Sequence, residues 1–413
     1  MKTSNKLKIF NDPIYGFITI PNSDIFDLIE HKYFQRLRRI SQMGLSYLVY
    51  PGANHTRFHH AIGCMYLMQK AVNVLRFKEV TISEEEERAL YIAILLHDIG
   101  HGPFSHAMEH SIVNGVSHEE ISMRFMQKLN EEFNGSLTLA IQIFEGKHER
   151  PFLCELISSQ FDMDRADYLK RDSFYTGVAE GNVNSERLIT MLNVVDDRLV
   201  VEQKGIYSVE KFLVARRFMY WQVYLHKTSV VAEQLLTRVL KRAKELSSQG
   251  IELRASDALS FFLRNEITRN NFDDDTLEIF SRLDDTDIVS AMKDWQYHDD
   301  FILSELSSMI INRDLLKIKL KNKPIKRSTL DKHISKLVKK YNISKKDAEY
   351  FVFIDEISNL AYQSKTQKIK ILQKSGKVVD ITKASDQFNI KALSKAVTKY
   401  YICYPKEEFV RDE

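Results

Sequence analysis

One segment limits the fold of this chain more than any other: Ser83 to Asp98, reading S-E-E-E-E-R-A-L-Y-I-A-I-L-L-H-D. Ser83 with Glu86 three residues on is a capping box, and four successive glutamates sit where the helix dipole favours negative charge. The run Ala89–Leu96 is too apolar for a surface helix, so the spacing predicts a helix buried in the core. Gly100, Gly102 and Pro103 must end it. Its C-terminal end therefore carries His97 and Asp98 out of the interior. At eight residues this is also the longest apolar run in the chain. A membrane-spanning helix needs ~20, so no membrane contact is expected.

Only 14 Gly and 7 Pro occur in 413 residues, and a chain this poor in turn-formers is expected to be mainly α. Hydrophobic residues at 44% and charged residues at 28% exclude a disordered or fibrous chain. Met1–Pro13 has no apolar stretch followed by a small-residue cleavage site, so secretion is not expected. Cys64, Cys154 and Cys403 show no CxxC spacing and read as free thiols in a reducing, cytoplasmic setting.

Three segments follow from the pattern: a core over 1–250, a charged helical region over 251–347 and a small α+β lobe over 348–413. Leu7–Ile20 reads as two short strands around a turn at Asn11-Asp12-Pro13, and helical patterns dominate from Asp24 to about Lys244. Tyr350–Ile354, Lys368–Gln373, Val378–Thr382 and Lys399–Tyr404 read as strands, with Ser375-Gly376 as a hairpin turn. The net charge of +3 hides a local split, since 266–305 carries 12 acidic against 3 basic residues and 315–347 carries 12 basic against 2 acidic. Solvated helical faces are the plain reading. The sharper reading is a nucleic-acid or other polyanion contact through Lys317–Lys346.

Chemistry concentrates in His97-Asp98-Ile99-Gly100-His101-Gly102-Pro103-Phe104-Ser105-His106. A His-Asp step alone is weak, and the chain contains a control: His298-Asp299 lies in an acidic polar stretch with no apolar helix behind it, and reads as surface. At 97–98 the helix is buried, and a buried ionised Asp costs several kcal/mol unless a cation compensates. Imidazole with carboxylate suits a divalent ion such as iron, manganese, zinc or nickel. Further ligands must come from elsewhere. Upstream, Thr56-Arg57-Phe58-His59-His60 opens a helical pattern in which Gly63 permits close approach to a neighbour; downstream lie Asp162-Met163-Asp164-Arg165-Ala166-Asp167-Tyr168, Arg171 and Asp172. Taken singly, His60 reads as a core or surface histidine and the Asp run as a solvated helix face.

Together, R-F-x-H, H-D-x-G-H-G-P-F-S-H and D-x-D-R-x-D-Y-x-x-R-D resemble the HD-domain metal-dependent phosphohydrolases. Within them the pattern is most similar to the deoxynucleoside triphosphate triphosphohydrolases related to the sterile-alpha-motif and HD-domain protein. Asn11–Gly16, Phe34–Arg38, Tyr50–Ala53 and Tyr224–Lys227 add matches in family order, whereas 250–345 adds none. The resemblance implies an HD-domain helical core with a C-terminal α+β lobe. It implies a divalent metal (iron, manganese, magnesium, zinc or nickel) on His60, His97, Asp98 and Asp164, with His101, His106, His118 and Glu109 as acids, bases and phosphate contacts. Glu109 stands where Asp is familiar, and Arg165 where Lys is. Arg57, Arg165, Tyr168 and Arg216 match triphosphate-contacting positions. Gln42, Asp172 and Tyr224 match positions around the sugar, where Tyr224 would exclude a 2′-hydroxyl. Asn11, Glu30, Gln35 and Arg38 match an activator-nucleotide pocket in a homo-oligomer, dimer or tetramer, with Glu30 again replacing Asp. Arg36, Arg38 and Arg39 read equally well as exposed helix charges.

The expected reaction is hydrolysis of dNTPs to deoxynucleoside and inorganic triphosphate, water attacking the α-phosphorus. Two alternatives stand beside it: a nucleotide-sensing or nucleic-acid-binding regulator on the same domain, and a phosphodiesterase acting on a cyclic nucleotide or single-stranded nucleic acid.

Overall fold

The computed structural model describes residues 8–104, 107–108, 111–363, 368–386 and 393–406. His106 and Glu109 lie outside them. At the start, β1 (Ile9–Asp12) and β2 (Gly16–Thr19) pair antiparallel. The Asp12 carboxylate accepts the backbone N–H groups of Ile14 and Tyr15 at 2.8 and 2.9 Å, which closes the expected turn.

Helices then carry the chain, and 56% of it is helical. After α1 (Ser23–Glu30) come α2 (Arg57–Phe77) and α3 (Glu84–Leu96). The capping box of α3 forms as predicted: Ser83 N–H donates to Glu86 Oε2 at 2.8 Å, and Glu86 N–H to Ser83 Oγ at 3.1 Å. Every residue from Ala89 to Leu96 is buried. Next are α4 (His118–Glu132), α5 (Met163–Thr176), α6 (Ile206–Met219) and α7 (Lys227–Ser248). Helix α2 packs against both α3 and α5. Gly63 makes the second contact possible, because a Cβ there would lie 2.2 Å from both Arg171 Nη2 and Asp167 Oδ1.

Two parts of the β structure differ from expectation. The first is a hairpin inside the helical region, β3 (Leu192–Val195) and β4 (Arg198–Glu202). Its turn residues Asp196 and Asp197 both take positive φ, 49° and 51°, the conformation that matches strand twist in two-residue turns. The second is β5 (Lys317–Lys321), where the basic run begins as a strand rather than a helix. Lys-Ile-Lys-Leu-Lys alternates with period two, and lysines on an edge strand discourage pairing with other chains. The run becomes helical at α8 (Arg327–Tyr341), which buries Leu330, Ile334 and Leu337 and leaves its lysines outward.

The C-terminal strands β6 (Phe353–Asn359), β7 (Lys370–Leu372), β8 (Val378–Asp380) and β9 (Val397–Tyr404) complete two sheets, ordered β8-β7-β4-β3 and β5-β9-β6. The first ties the end of the chain to the helical core; the second ties it to the basic region. Among the described residues no helix is long and apolar enough to cross a membrane.

Candidate active site

Three helices converge on one point. The first turn of α2 supplies His60, the turn after α3 supplies His97 and Asp98, and the first turn of α5 supplies Asp164. Asp162 caps α5 by accepting the Arg165 N–H at 2.8 Å, which fixes the turn that carries Asp164. Ligating atoms of His60, Cys64, His97 and Asp164 lie within 4.8 Å of one another. Asp98 joins them, its oxygens 3.4 Å from His97 Nε2 and 3.8 Å from His60 Nε2.

The residues fit a divalent cation. His97 directs Nδ1 at the Ile94 carbonyl, 2.6 Å away, and its buried Nε2 has no hydrogen-bond partner among the described residues. A buried orphan nitrogen aimed at two carboxylates is what a metal ligand looks like before the metal is counted. Cys64 is less suited than Asp98, because burial pushes its thiol up and keeps it protonated. Behind the cluster, Asp167 sits 2.8 Å from His60 Nδ1. It is held by Arg171 at 2.8 and 3.0 Å, and Arg171 in turn reaches Asp12 at 2.7 Å.

Burial alone would raise the Asp98 pKa, but His97, His101 and Arg57 outweigh it and hold the carboxyl well below its usual range. Asp164 is likewise held low against burial, by His60 and His97. Burial and the Arg57 charge push His101 down to about 3, so its imidazole is neutral. It lies 3.3 Å from Asp98 and stacks on His118 at 3.9 Å between ring centroids. Arg57 donates to Asp98 through Nη1, while its buried Nε has no partner among the described residues.

Aromatic side chains lead from this centre to a second polar cluster. His60 and Tyr168 have ring centroids 6.5 Å apart, and Tyr168 and Tyr224 6.0 Å. The Tyr224 hydroxyl donates to Asp172 Oδ2 at 2.7 Å, and His55 Nε2 meets Asp172 Oδ1 at 2.7 Å. Gln42 Oε1 is buried without a partner among the described residues, and its backbone N–H donates to the His55 carbonyl at 3.0 Å. Tyr224 ends a π-helical turn, Tyr220–Tyr224, a local widening frequent at functional sites.

An HD domain matches residues 57–172, and an HD-associated region matches 183–270. YwfO, an uncharacterised protein of Bacillus subtilis, is 31% identical over 417 residues, covering 97% of this chain and 92% of that one. The crystal structure of a phosphohydrolase from Bacteroides thetaiotaomicron is similar with a TM-score of 0.94 at 52% identity, covering 97% of this chain and 100% of that one. The chain belongs to the HD-domain phosphohydrolases. A Dictyostelium discoideum homologue of the deoxynucleoside triphosphate triphosphohydrolase SAMHD1 is 32% identical over 271 residues, 61% of this chain and 51% of the relative. This HD-domain phosphohydrolase thus spans about half the length of that relative.

Within the phosphohydrolase, the structure brings together His60, His97, Asp98, Asp164, Arg57, His101, His118 and Tyr168, and separately Gln42, Asp172 and Tyr224. Arg165 donates to the Ser159 carbonyl at 2.7 Å, and Arg216 to Gln160 Oε1 at 3.3 Å, so one loop supports both. Of the residues expected from the resemblance to line an activator pocket, Gln35 and Arg38 touch at 2.8 Å, and Arg38 stacks on Phe58. Asn11 and Glu30 are exposed, and no hydrogen bond or ion pair among the described residues joins them to that pair.

Arg36 corrects a reading. It is fully buried rather than exposed, and donates to the carbonyls of Ile99 (2.7 Å) and His101 (2.9 Å), bracing the turn that follows Asp98. His55 and Gln160 stand outside the sequence motifs, and Asp167 enters them only as part of the Asp162–Tyr168 run, without a role. For Asp167 a signal existed, since it stands three residues after Asp164 on one helix face.

Proposed function

We propose that this HD-domain phosphohydrolase hydrolyses deoxynucleoside triphosphates to deoxynucleoside and inorganic triphosphate. The observation that carries the reading is the Asp172–Tyr224 pair, a carboxylate and a phenol set beside the histidine–carboxylate centre with Tyr168 between them. Each carboxylate oxygen has two lone pairs, so Asp172, accepting once on each, keeps capacity for a sugar hydroxyl. Gln42 Oε1 offers a second buried acceptor. The SAMHD1 relatives, named as deoxynucleoside triphosphate triphosphohydrolases, support the same substrate class.

His60, His97, Asp98 and Asp164 would hold the cation, which when bound neutralises phosphate charge and acidifies water. Arg57, Arg165 and Arg216 would grip the triphosphate, where guanidinium forks give strong charge-assisted hydrogen bonds. His101, neutral beside the ionised Asp98, carries its ring proton on Nε2 facing that carboxylate, and would orient Asp98 by donating to it. Fixed charges aimed at the reacting phosphate supply most of the rate in such chemistry.

The test is incubation of the metal-loaded protein with each dNTP and each NTP, separating nucleoside, triphosphate, pyrophosphate and monophosphate. Deoxynucleoside with triphosphate supports the reading; pyrophosphate with monophosphate, or cleavage of cyclic or oligomeric substrates in preference, replaces it.

A further inference from the structure

A cavity of about 440 Å³ lies where the end of the chain joins the helical core, beside the β4–β7 pairing. Ser159, Gln160 and Phe161 line it from the loop before α5, and Arg198, Lys368 and Lys370 bring three positive charges against one, Glu155. Glu155 is already committed to Arg198 at 3.0 Å and to the Leu199 N–H at 2.7 Å. Lys368 and Lys370 have no acidic partner among the described residues. Lys368, exposed, and Lys370, half-buried on its strand opposite Asp380, make this concavity net positive and attractive to an anion. The volume is that of a small-molecule site and exceeds what a bare phosphate fills. Phe161, Val200 and Ile369, all buried, add apolar surface to its walls.

The loop that lines this cavity also supports the catalytic side. The Ser159 carbonyl accepts from Arg165, Gln160 Oε1 accepts from Arg216, and Asp162 caps the turn of α5 that carries Asp164. Gln160 Oε1 also accepts the Gln363 N–H at 3.2 Å, linking the loop to the C-terminal segment. A ligand that shifts Ser159 and Gln160 must therefore shift two arginines at once.

We propose that this cavity is a second, non-catalytic site for a phosphate-bearing molecule of mononucleotide size, and that its occupancy is felt at the catalytic side through the loop Ser158–Asp162. The binding stands alone. The coupling rests on the placement of Arg165 and Arg216 at the triphosphate.

Titration calorimetry of the full-length, metal-loaded chain with AMP and with inorganic phosphate tests it. AMP should bind one to one and more tightly than phosphate. Lys368→Glu with Lys370→Glu should weaken AMP at least ~10-fold, since two attractive charges are replaced by two that repel the phosphate. Arg57→Ala, which alters only the catalytic centre, should leave AMP binding in place. Both lysines are away from the catalytic machinery, so the double variant should keep the basal rate, and a melting curve matching the parent's shows that it folds. In the parent, AMP should change dNTP turnover about 5-fold or more, and in the double variant it should not.

Absence of saturable AMP binding at millimolar concentration, or binding indifferent to the lysine reversals, overturns the site. AMP binding with unchanged turnover overturns the coupling. A chain that hydrolyses no dNTP yet binds AMP in a lysine-dependent way removes the substrate reading and supports this site.

Discussion

The Asp167 carboxylate lies 2.8 Å from His60 Nδ1, on the side of the imidazole opposite Asp164, which faces Nε2 at 3.1 Å. One carboxylate sets the ring's orientation and the other shares its ligating face. Such an outer carboxylate fixes the tautomer and raises the basicity of a metal-bound imidazole, and its loss costs about 10- to 100-fold in metal affinity. Asp167→Asn is therefore expected to raise the metal dissociation constant by that factor, measured by competition with a chromogenic chelator. An unchanged constant would show that the pair is only structural.

Removing Asp98 should abolish metal and activity together. Its carboxylate is held well below its usual range, against burial, by His97, His101 and Arg57, so it is ionised wherever the protein is folded near neutrality. In Asp98→Ala the anionic partner at the centre disappears, and elemental analysis after metal loading should fall from about one equivalent towards zero. His298→Ala is the matched control. His298 Nδ1 accepts the Asp300 N–H at 2.9 Å in a turn beside an exposed Asp299, and its loss should change neither metal content nor rate.

What sequence showed and what it hid divide along a physical line. His97-Asp98 was legible because an apolar helix with a strong cap can only lie in the core, so its end had to open inside the protein. The close crossing at Gly63 was legible because only a missing Cβ suits it. His55 was not legible: its meaning comes from Asp172, 117 residues away, and a histidine before a helix start carries no local signal of that partner. Arg36 hid for the opposite reason, since it sits in a basic run that looks solvated, yet its guanidinium satisfies three backbone carbonyls in the interior. The β3–β4 hairpin did carry local signals, an Asp-Asp turn between two valine-rich runs, but it lay among helices. The strand β5 was masked by charge, because five residues with three lysines look like a polar helix face until the alternation is counted.

Glu233 on α7 predicts a pH dependence of stability. Burial pushes its carboxyl from 4.5 up to about 7, and no hydrogen bond or ion pair to it occurs among the described residues. A group whose folded pKa lies above its unfolded value stabilises fully below the unfolded pKa, and that contribution is lost as pH rises through the folded one. The window is therefore about pH 4.5 to 7, with a loss of up to ~3 kcal/mol above it, less where water reaches the half-buried side chain. Glu233→Gln should match the parent's melting temperature at pH 5 and exceed it at pH 8. Parallel melting curves across that range would contradict the assignment.

Sugar discrimination separates the dNTP reading from its rivals. Tyr224 is packed between Tyr168 and Tyr220, with centroids 6.0 and 5.1 Å away, and its hydroxyl is fixed on Asp172. A close aromatic wall rejects an added 2′-hydroxyl by steric conflict and by leaving it unsatisfied, which costs about 1–3 kcal/mol. At ~1.4 kcal/mol per decade that is tens-fold to hundred-fold in selectivity. Hydrolysis of dNTPs should accordingly exceed that of the matching NTPs by at least ~10-fold. Tyr224→Ala should narrow the ratio by opening the wall, chiefly through faster NTP turnover. Asp172→Ala should lower kcat/KM on dNTPs, because the hydroxyl acceptor is gone and both His55 and Tyr224 lose the group that holds them. Equal kcat/KM for dGTP and GTP with the unmodified protein would contradict the roles given to both residues while leaving the metal centre standing.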